Sequence, residues 1–228
     1  MLAKEIYECR YAQGTIRVDG LLDKPAWKKA PTLDFYVPVT HATPQSLSHG
    51  KMLWDETHLY VGIKAYDKDI WAHHTERDSP TCNEDVLEVF LKPHKDESAY
   101  YNFEINPLGT VYDAFNVRRG AGGPDDHRWN RWNCEGLLVG IDIKGTLNKW
   151  DDIDEYWCLE VAIPFASLPS LQGRVPCAGE TWKFHLARYD YSVYLDDGVE
   201  LSSTTRFKIA EGSFFHRHEE WQTMKFVK

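Results

Sequence analysis

The chain has 228 residues and a formal net charge of −9, because 35 Asp and Glu outnumber 26 Lys and Arg. No basic run is longer than Arg118-Arg119, so we expect no nucleic-acid partner. No stretch of about 18 apolar residues is present, so we expect no membrane-spanning helix. Nine Trp, twelve Tyr and ten Phe supply many aromatic rings, which serve both protein cores and ligand-binding faces.

The predicted elements are almost all strands. In chain order they cover residues 15–18, 51–54, 59–66, 86–91, 100–105, 110–115, 137–143, 157–163, 181–189, 201–209 and 222–227. Short helical turns are predicted at 24–30 and 165–168. Many short strands with few helices predict an all-β fold, an antiparallel β-sandwich of immunoglobulin-like or DOMON-like type. The sequence shows no repeat and no linker, so residues 1–228 are interpreted as one domain.

An oxygen-rich loop at residues 145–157 is the first candidate site. Asn148, Asp151, Asp152 and Asp154 offer the hard oxygen ligands that calcium prefers. The alternative is that these side chains bond to their own backbone as Asx-turns. The EF-hand pattern is absent. We predict a structural calcium ion here, with Asp67 and Asp69 as possible further ligands.

A series of short motifs supports a family assignment. They are IRVDGLLD at 16–23, KMLWD at 51–55, DVLEVFL at 85–91, GTLN at 145–148, AIPF at 162–165 and FHR at 215–217. Their order resembles the family 9 carbohydrate-binding modules and their DOMON-like relatives, over nearly the whole chain. The resemblance implies a β-sandwich that binds sugars and calcium outside the cytoplasm. Residues 1–6 nevertheless lack the apolar region of a signal peptide, so the compartment is left open. A monomer is expected.

The same resemblance implies particular ligand-binding residues. In the sugar-binding members two aromatic rings clamp a terminal sugar, and polar side chains bind its hydroxyl groups. Glu88 matches a sugar-binding carboxylate, Asn106 matches a polar ligand and Phe215 matches one clamping ring. Cys82 falls where the second ring is expected, and Glu104 replaces an arginine.

Strand phase adds to this assignment. Glu88 alternates with Leu87 and Val89, so its carboxylate is predicted on the face away from the core. Arg188 needs an acidic partner, and Glu88, Glu104 and Asp190 are the alternatives. We predict that Arg188 either contacts the ligand and orients Glu88 or forms a buried structural ion pair, and Glu104 is kept as a candidate ligand-binding residue.

The Trp129-Asn130-Arg131-Trp132 segment is the candidate replacement for the missing ring. Tryptophan faces stack on the C–H surface of a pyranose. We predict that Trp129 and Trp132 lean over Glu88. The alternative is that both rings attach a long loop to the sandwich.

Two other functions are left open. A glycosidase or lyase would use Glu88, Glu104 or Glu160, since such enzymes place two carboxyls about 5–9.5 Å apart. A haem-binding DOMON relative would need axial ligands such as methionines, of which the chain has three. His216 and His218 are two apart on the chain, but a third metal ligand is not evident.

Overall fold

The computed structural model describes residues 6–119, 132–212 and 214–228, and the predicted all-β fold is confirmed. Its strands are β1 Ile6–Tyr11, β2 Leu33–Asp34, β3 Ser48–Trp54, β4 His58–Tyr66, β5 Val86–Lys92, β6 Tyr100–Ile105, β7 Val111–Asn116, β8 Leu138–Lys144, β9 Tyr156–Pro164, β10 Thr181–Tyr191, β11 Val199–Ser203 and β12 Gln222–Val227. Short 3₁₀ helices lie at Pro25–Lys29, Thr81–Asn83, Phe165–Ser167, Pro169–Leu171 and Phe214–His216. No helix in the described part of the chain is apolar and long enough to cross a bilayer.

Three details of the strand prediction differ from the structure. Residues 15–18 form no strand, because Ile16 packs with Trp27 on the outside of the sheet instead of joining a ladder. Strands β1 and β2 are not among the predicted strands. Strand β11 ends at Ser203, well before the predicted limit of 209.

The strands join into one curled sheet. Its order is β7-β6-β5-β10-β12-β1-β3-β4-β9-β8, with β11 beside β10 and β2 beside β3. Most pairs are antiparallel, but β1 runs parallel to both β12 and β3. We call β5, β6, β7, β10, β11 and β12 the β10 half, and β2, β3, β4, β8 and β9 the β4 half. Strand β1 connects the two halves, whose inner faces pack together.

The core lies between the inner faces. Alternate residues of β5 and β10, such as Leu87, Val89 and Leu186, meet Val61 of β4 and Leu159 of β9. All five side chains are fully buried. This two-residue period explains why intervening residues such as Glu88 point to the outside of the sheet.

Each outer face is covered by a chain segment. The N-terminal segment lays Ile16 and Trp27 over Tyr60 on the β4 half. The C-terminal segment lays Phe215 and Trp221 over the β10 half. Because these segments are irregular, their polar backbone groups need partners from the sheet.

Glu160 provides the partners on the β4 half. This fully buried carboxylate accepts hydrogen bonds from Trp27 Nε1 at 2.8 Å, from the Asp19 amide at 2.9 Å and from Lys24 Nζ at 2.6 Å. Gly20 at φ +85° also donates its amide and approaches the backbone of β8 too closely for a side chain. Glu160 is therefore an anchor for the N-terminal segment, and its interpretation as a catalytic group is wrong.

Replacing Glu160 by glutamine should destabilise the protein. The amide keeps the size of the side chain but turns one acceptor into a donor that faces N–H groups. We expect the free energy of unfolding to fall by about 2–3 kcal/mol, as for a buried hydrogen bond to a charged group. Urea unfolding at pH 7 measures this. Glu155→Gln, on the exposed Lys144–Glu155 pair, is the control and should change little; equal effects of the two substitutions would contradict the anchor role.

Candidate functional site

Two glutamates lie side by side on the outer face of the β10 half. Glu88 of β5 is directly opposite Glu104 of β6 on one side and Ala187 of β10 on the other. Glu88 is 3% exposed and Glu104 is 8% exposed, so both are buried. The charges of both glutamates act on Cys82 and Tyr189, which places these four side chains in one group. We call Glu88, Glu104, Cys82, Tyr189 and Phe215 the Glu88 face.

Burial sets the protonation of this pair. Desolvation, and then the charge of Glu104, raises the pKa of Glu88 well above its ordinary value. Desolvation also raises the pKa of Glu104 to about 7, although hydrogen bonds donated by Thr81 Oγ1 and Asn102 Nδ2, both at 3.0 Å, oppose the shift. No described residue donates a hydrogen bond to Glu88. Its carboxyl group therefore retains hydrogen-bonding capacity for a ligand.

Phe215 lies over the same outer face. Its ring centroid is 5.5 Å from that of Tyr189 and 5.2 Å from that of His185, both on β10. Phe215 is only 2% exposed, because Phe207 and Phe214 also pack on it. Among these rings, the half-buried Tyr189 offers more accessible surface beside Glu88.

Asn106 is committed to the turn after β6. Its amide donates to the His74 carbonyl and to Glu84 Oε1, and its oxygen accepts from the Leu108 and Thr110 amides. Asn106 is fully buried. All four of its hydrogen-bonding positions are used, so the structure supports a turn-forming role better than the predicted contact with a ligand.

Arg188 faces the interior and not Glu88. It follows Ala187 on β10, so its side chain leaves the opposite side of the strand. Its guanidinium lies 2.7 Å from Asp67 and 3.1 Å from Asp190, and it donates to the Tyr66 carbonyl at 2.8 Å. The predicted orientation of Glu88 by Arg188 is therefore wrong, whereas the buried structural pair, with Asp190 among its partners, is present.

The tryptophan segment is only partly described. Trp129 lies outside the described residues. Trp132 packs on Tyr101 at 5.2 Å and on Phe103 at 6.0 Å, both on the inner face of β6. The prediction that Trp132 leans over Glu88 is wrong, because Asn102 and Glu104 occupy the other face of that strand. Trp132 closes the core instead.

A second group of acids surrounds Arg188. Asp67 after β4, Asp85 before β5 and Asp190 of β10 place carboxylate oxygens within 4.8 Å of one another, and all three are buried. Burial raises the pKa of Asp67 to about 6, and burial and the neighbouring acids raise the pKa of Asp85 well above its ordinary value. Neither oxygen of Asp190 receives a hydrogen bond. Three carboxylates thus share one guanidinium.

The loop predicted to bind calcium is arranged differently. Asn148 pairs with both backbone groups of Ala72, and Asp154 accepts the Thr146 and Ile70 amides. Asp151 is exposed, and Lys149 lies 3.8 Å from it and 3.4 Å from Asp152. In the described ranges only the Asp67 group brings three acids together. Because Asn148 and Asp154 form turn contacts, the structure favours the Asx-turn alternative over one ion held by Asn148, Asp151, Asp152 and Asp154.

The remaining candidate ligands have structural roles. Met52 and Met224 are fully buried in the core and so are not free to ligate a haem, and Met1 lies outside the described residues. The Nδ1 atom of His216 hydrogen-bonds with the Tyr100 hydroxyl at 2.8 Å. Burial raises the pKa of the Cys82 thiol to about 12, so this group is not a thiolate nucleophile.

One family model matches most of the chain. The sequence model described as carbohydrate family 9 binding domain-like matches residues 18–192. The chain is 26% identical over 161 residues to endo-1,4-beta-xylanase C of Paenibacillus barcinonensis. That alignment covers 67% of this chain but only 14% of the xylanase.

Solved structures show the same fold. A putative carbohydrate-binding protein from Bacteroides uniformis ATCC 8492 is 16% identical with a TM-score of 0.70, over 96% of this chain and 97% of that one. A carbohydrate binding module family 9 from Caldicellulosiruptor kristjanssonii in complex with cellotriose is 15% identical with a TM-score of 0.65, over 98% and 94%. A carbohydrate binding module family 9 from the same organism in complex with glucose has a TM-score of 0.62 at 16% identity, over 95% and 94%.

The glutamate pair should make stability depend on pH. Because the folded state raises the pKa of Glu104 from 4.5 to about 7, it binds that proton more tightly than the unfolded chain does. Stability from this group is full below about pH 4.5 and is lost as the pH rises to about 7. The parent should lose free energy of unfolding between about pH 4.5 and 7, and Glu104→Gln should reduce that loss by about 2–3 kcal/mol.

Urea unfolding at a series of pH values measures the effect, with the exposed Glu76→Gln as control. Parallel pH profiles for the parent and Glu104→Gln would contradict the assignment, and the control should follow the parent.

Proposed function

Because the chain belongs to the carbohydrate family 9 binding domain-like family, we propose that it binds a neutral sugar through the Glu88 face without catalysing a reaction. The observation that carries the proposal is the pairing of Glu88 and Glu104 beside Tyr189 on one outer face. Two adjacent carboxyl groups provide several acceptor oxygens for neighbouring hydroxyls, and the ring provides a surface for C–H groups.

The protonated state of Glu88 adds a donor. Burial, and then the charge of Glu104, raise the pKa of Glu88 well above its ordinary value and so favour the protonated form, which can donate to a sugar oxygen while Glu104 accepts. A pair that both donates and accepts suits a hydroxyl group, which has the same two capacities. The relatives named above with cellotriose and glucose support a glucose-type ligand.

Glu88→Gln should weaken sugar binding without unfolding the protein. The amide retains the shape of the side chain but changes the arrangement of donors and acceptors. We expect a loss of about 1–2 kcal/mol in binding free energy to glucose or cellotriose, measured by calorimetry. Glu76→Gln is the matched control, and unchanged affinity in Glu88→Gln would refute the assignment.

The paired glutamates also support a second candidate, glycoside hydrolysis. Directly opposed strand residues have Cβ atoms about 4.5–5.5 Å apart, and retaining glycosidases place their carboxyl groups at about 5–5.5 Å. Binding is preferred because the matched family is one of binding domains. Release of reducing ends by the parent, abolished in Glu104→Gln, would establish hydrolysis instead.

We also propose that a calcium ion binds at Asp67, Asp85 and Asp190. The observation that fits a cation is Asp190, whose buried Oδ2 receives no hydrogen bond and whose Oδ1 has only the Arg188 guanidinium at 3.1 Å. With all three acids ionised, the group holds two more negative charges than Arg188 balances. A divalent cation has the charge and the preference for oxygen that this group requires.

Calcium should therefore raise the melting temperature. An ion bound only by the native state stabilises it by mass action, by about 2.7 kcal/mol at one hundred times the dissociation constant. Scanning fluorimetry with calcium or EDTA measures the shift. Asp190→Asn should remove most of it, while the control Asp151→Asn in the exposed loop should retain it. The loss of the shift in the control alone would place the ion in the loop instead.

A further inference from the structure

A surface pocket of about 450 Å³ lies at the end of β10, beyond the Glu88 face. Trp71, Trp150 and Tyr191 provide its aromatic walls, and Asp69 and Asn148 provide polar groups. This volume is within the range of small-ligand sites. The sugar-binding assignment of the Glu88 face does not use this pocket.

Its rings are held at defined positions. Trp71 donates its indole N–H to the Tyr191 carbonyl at 2.9 Å, and the two ring centroids are 6.0 Å apart. Trp150 is 70% exposed, so the face of its ring is accessible to a ligand. Tyr194 donates its hydroxyl to the carbonyls of Trp150 and Asp152, which fixes the loop that carries this ring.

The polar groups suit a neutral ligand with hydroxyl groups. Asp69 Oδ2 accepts the Val193 amide at 3.0 Å, while no described residue donates to its Oδ1. The Asn148 amide uses one N–H on the Ala72 carbonyl, which leaves the other. The pocket lining contains no Lys or Arg, and its one histidine, His73, is opposite in charge type to the carboxylate of Asp69, so the lining favours a neutral ligand over an anionic one.

A row of aromatic rings connects the pocket to the Glu88 face. Phe215 and Tyr189 have centroids 5.5 Å apart, Tyr189 and Tyr191 are stacked at 6.5 Å, and Tyr191 meets Trp71. Tyr189 and Tyr191 are both half-buried, so each presents some surface to solvent. The two sites thus lie along one strand.

We propose that this pocket is a second subsite for a neutral sugar ring, so that the chain binds an oligosaccharide along β10 and not only one sugar unit. The inference rests on the proposed sugar binding at the Glu88 face and extends it. One residue of the oligosaccharide occupies the Glu88 face, and a later residue stacks on Trp150 and bonds with Asp69 and Asn148. Affinity should therefore rise with chain length.

Trp150→Ala tests the second subsite. Its ring makes no hydrogen bond that would be lost, and the contact to its carbonyl remains. Calorimetry with glucose, cellohexaose, xylose and xylohexaose should show that a hexasaccharide binds the parent more tightly than its monosaccharide. Trp150→Ala should reduce that advantage about fivefold to tenfold, as loss of one aromatic contact does. Ile153→Ala, 71% exposed in the same loop but outside the pocket, is the matched control and should behave like the parent.

The outcomes separate the two proposals. If neither hexasaccharide binds more tightly than its monosaccharide, or if Trp150→Ala keeps the full advantage, the second subsite is wrong. Glu88→Gln should weaken binding of the monosaccharide and the hexasaccharide alike. If it leaves monosaccharide affinity unchanged, the assignment of the Glu88 face fails, while the result for Trp150 still decides the second subsite.

Discussion

The alternation of side chains along β10 is the constraint on which both candidate sites depend. This strand pairs with β5, β11 and β12 within the sheet. Its side chains therefore alternate between the core side and the outer side of the sheet. Arg188 and Asp190 point inward to the acid group, whereas Ala187, Tyr189 and Tyr191 follow the outer face. A shift of one residue in register would exchange the two sets and destroy both sites at once.

Uncompensated negative charge is the second feature that the two sites share. Glu88 and Glu104 are paired on the outer face, and Asp67, Asp85 and Asp190 share one guanidinium inside. Buried charges of like sign lower stability unless a partner satisfies them. Desolvation by burial, and then the neighbouring acids, raise the pKa values of Glu88 and Asp85, so protons supply part of that compensation in the absence of a ligand. Such groups are expected where binding supplies the remaining partner.

The sequence predicts the strands better than the contacts between them. Strands β6 and β12 are predicted to the residue, and the outward phase of Glu88 follows from Leu87 and Val89 alone, because strand periodicity is local. Whether Arg188 faces Glu88 depends on the register between β5 and β10, in which Glu88 is opposite Ala187. The sequence of a single strand does not contain this register. The acid group joins three segments from Asp67 to Asp190, so it depends on the curl of the whole sheet. In the oxygen-rich loop, Asn148 and Asp154 bind backbone amides, a use that composition does not distinguish from metal binding.

The turn at Thr81–Asn83 explains how the face is retained around Cys82. Two hydrogen bonds position this turn. The Thr81 hydroxyl donates to Glu104 at 3.0 Å, and the Tyr191 hydroxyl donates to the Cys82 carbonyl at 2.9 Å. Neither hydrogen bond involves the side chain at position 82, so both can form whether that side chain is an aromatic ring or a thiol. A thiol leaves less surface for stacking at this point. The stacking surface must then come from rings that the sheet itself positions, namely Tyr189 and Tyr191, and these lead along β10 to Trp71. In the binding mode proposed above, the aromatic contact is therefore a row of rings along β10 and not a clamp around one sugar unit.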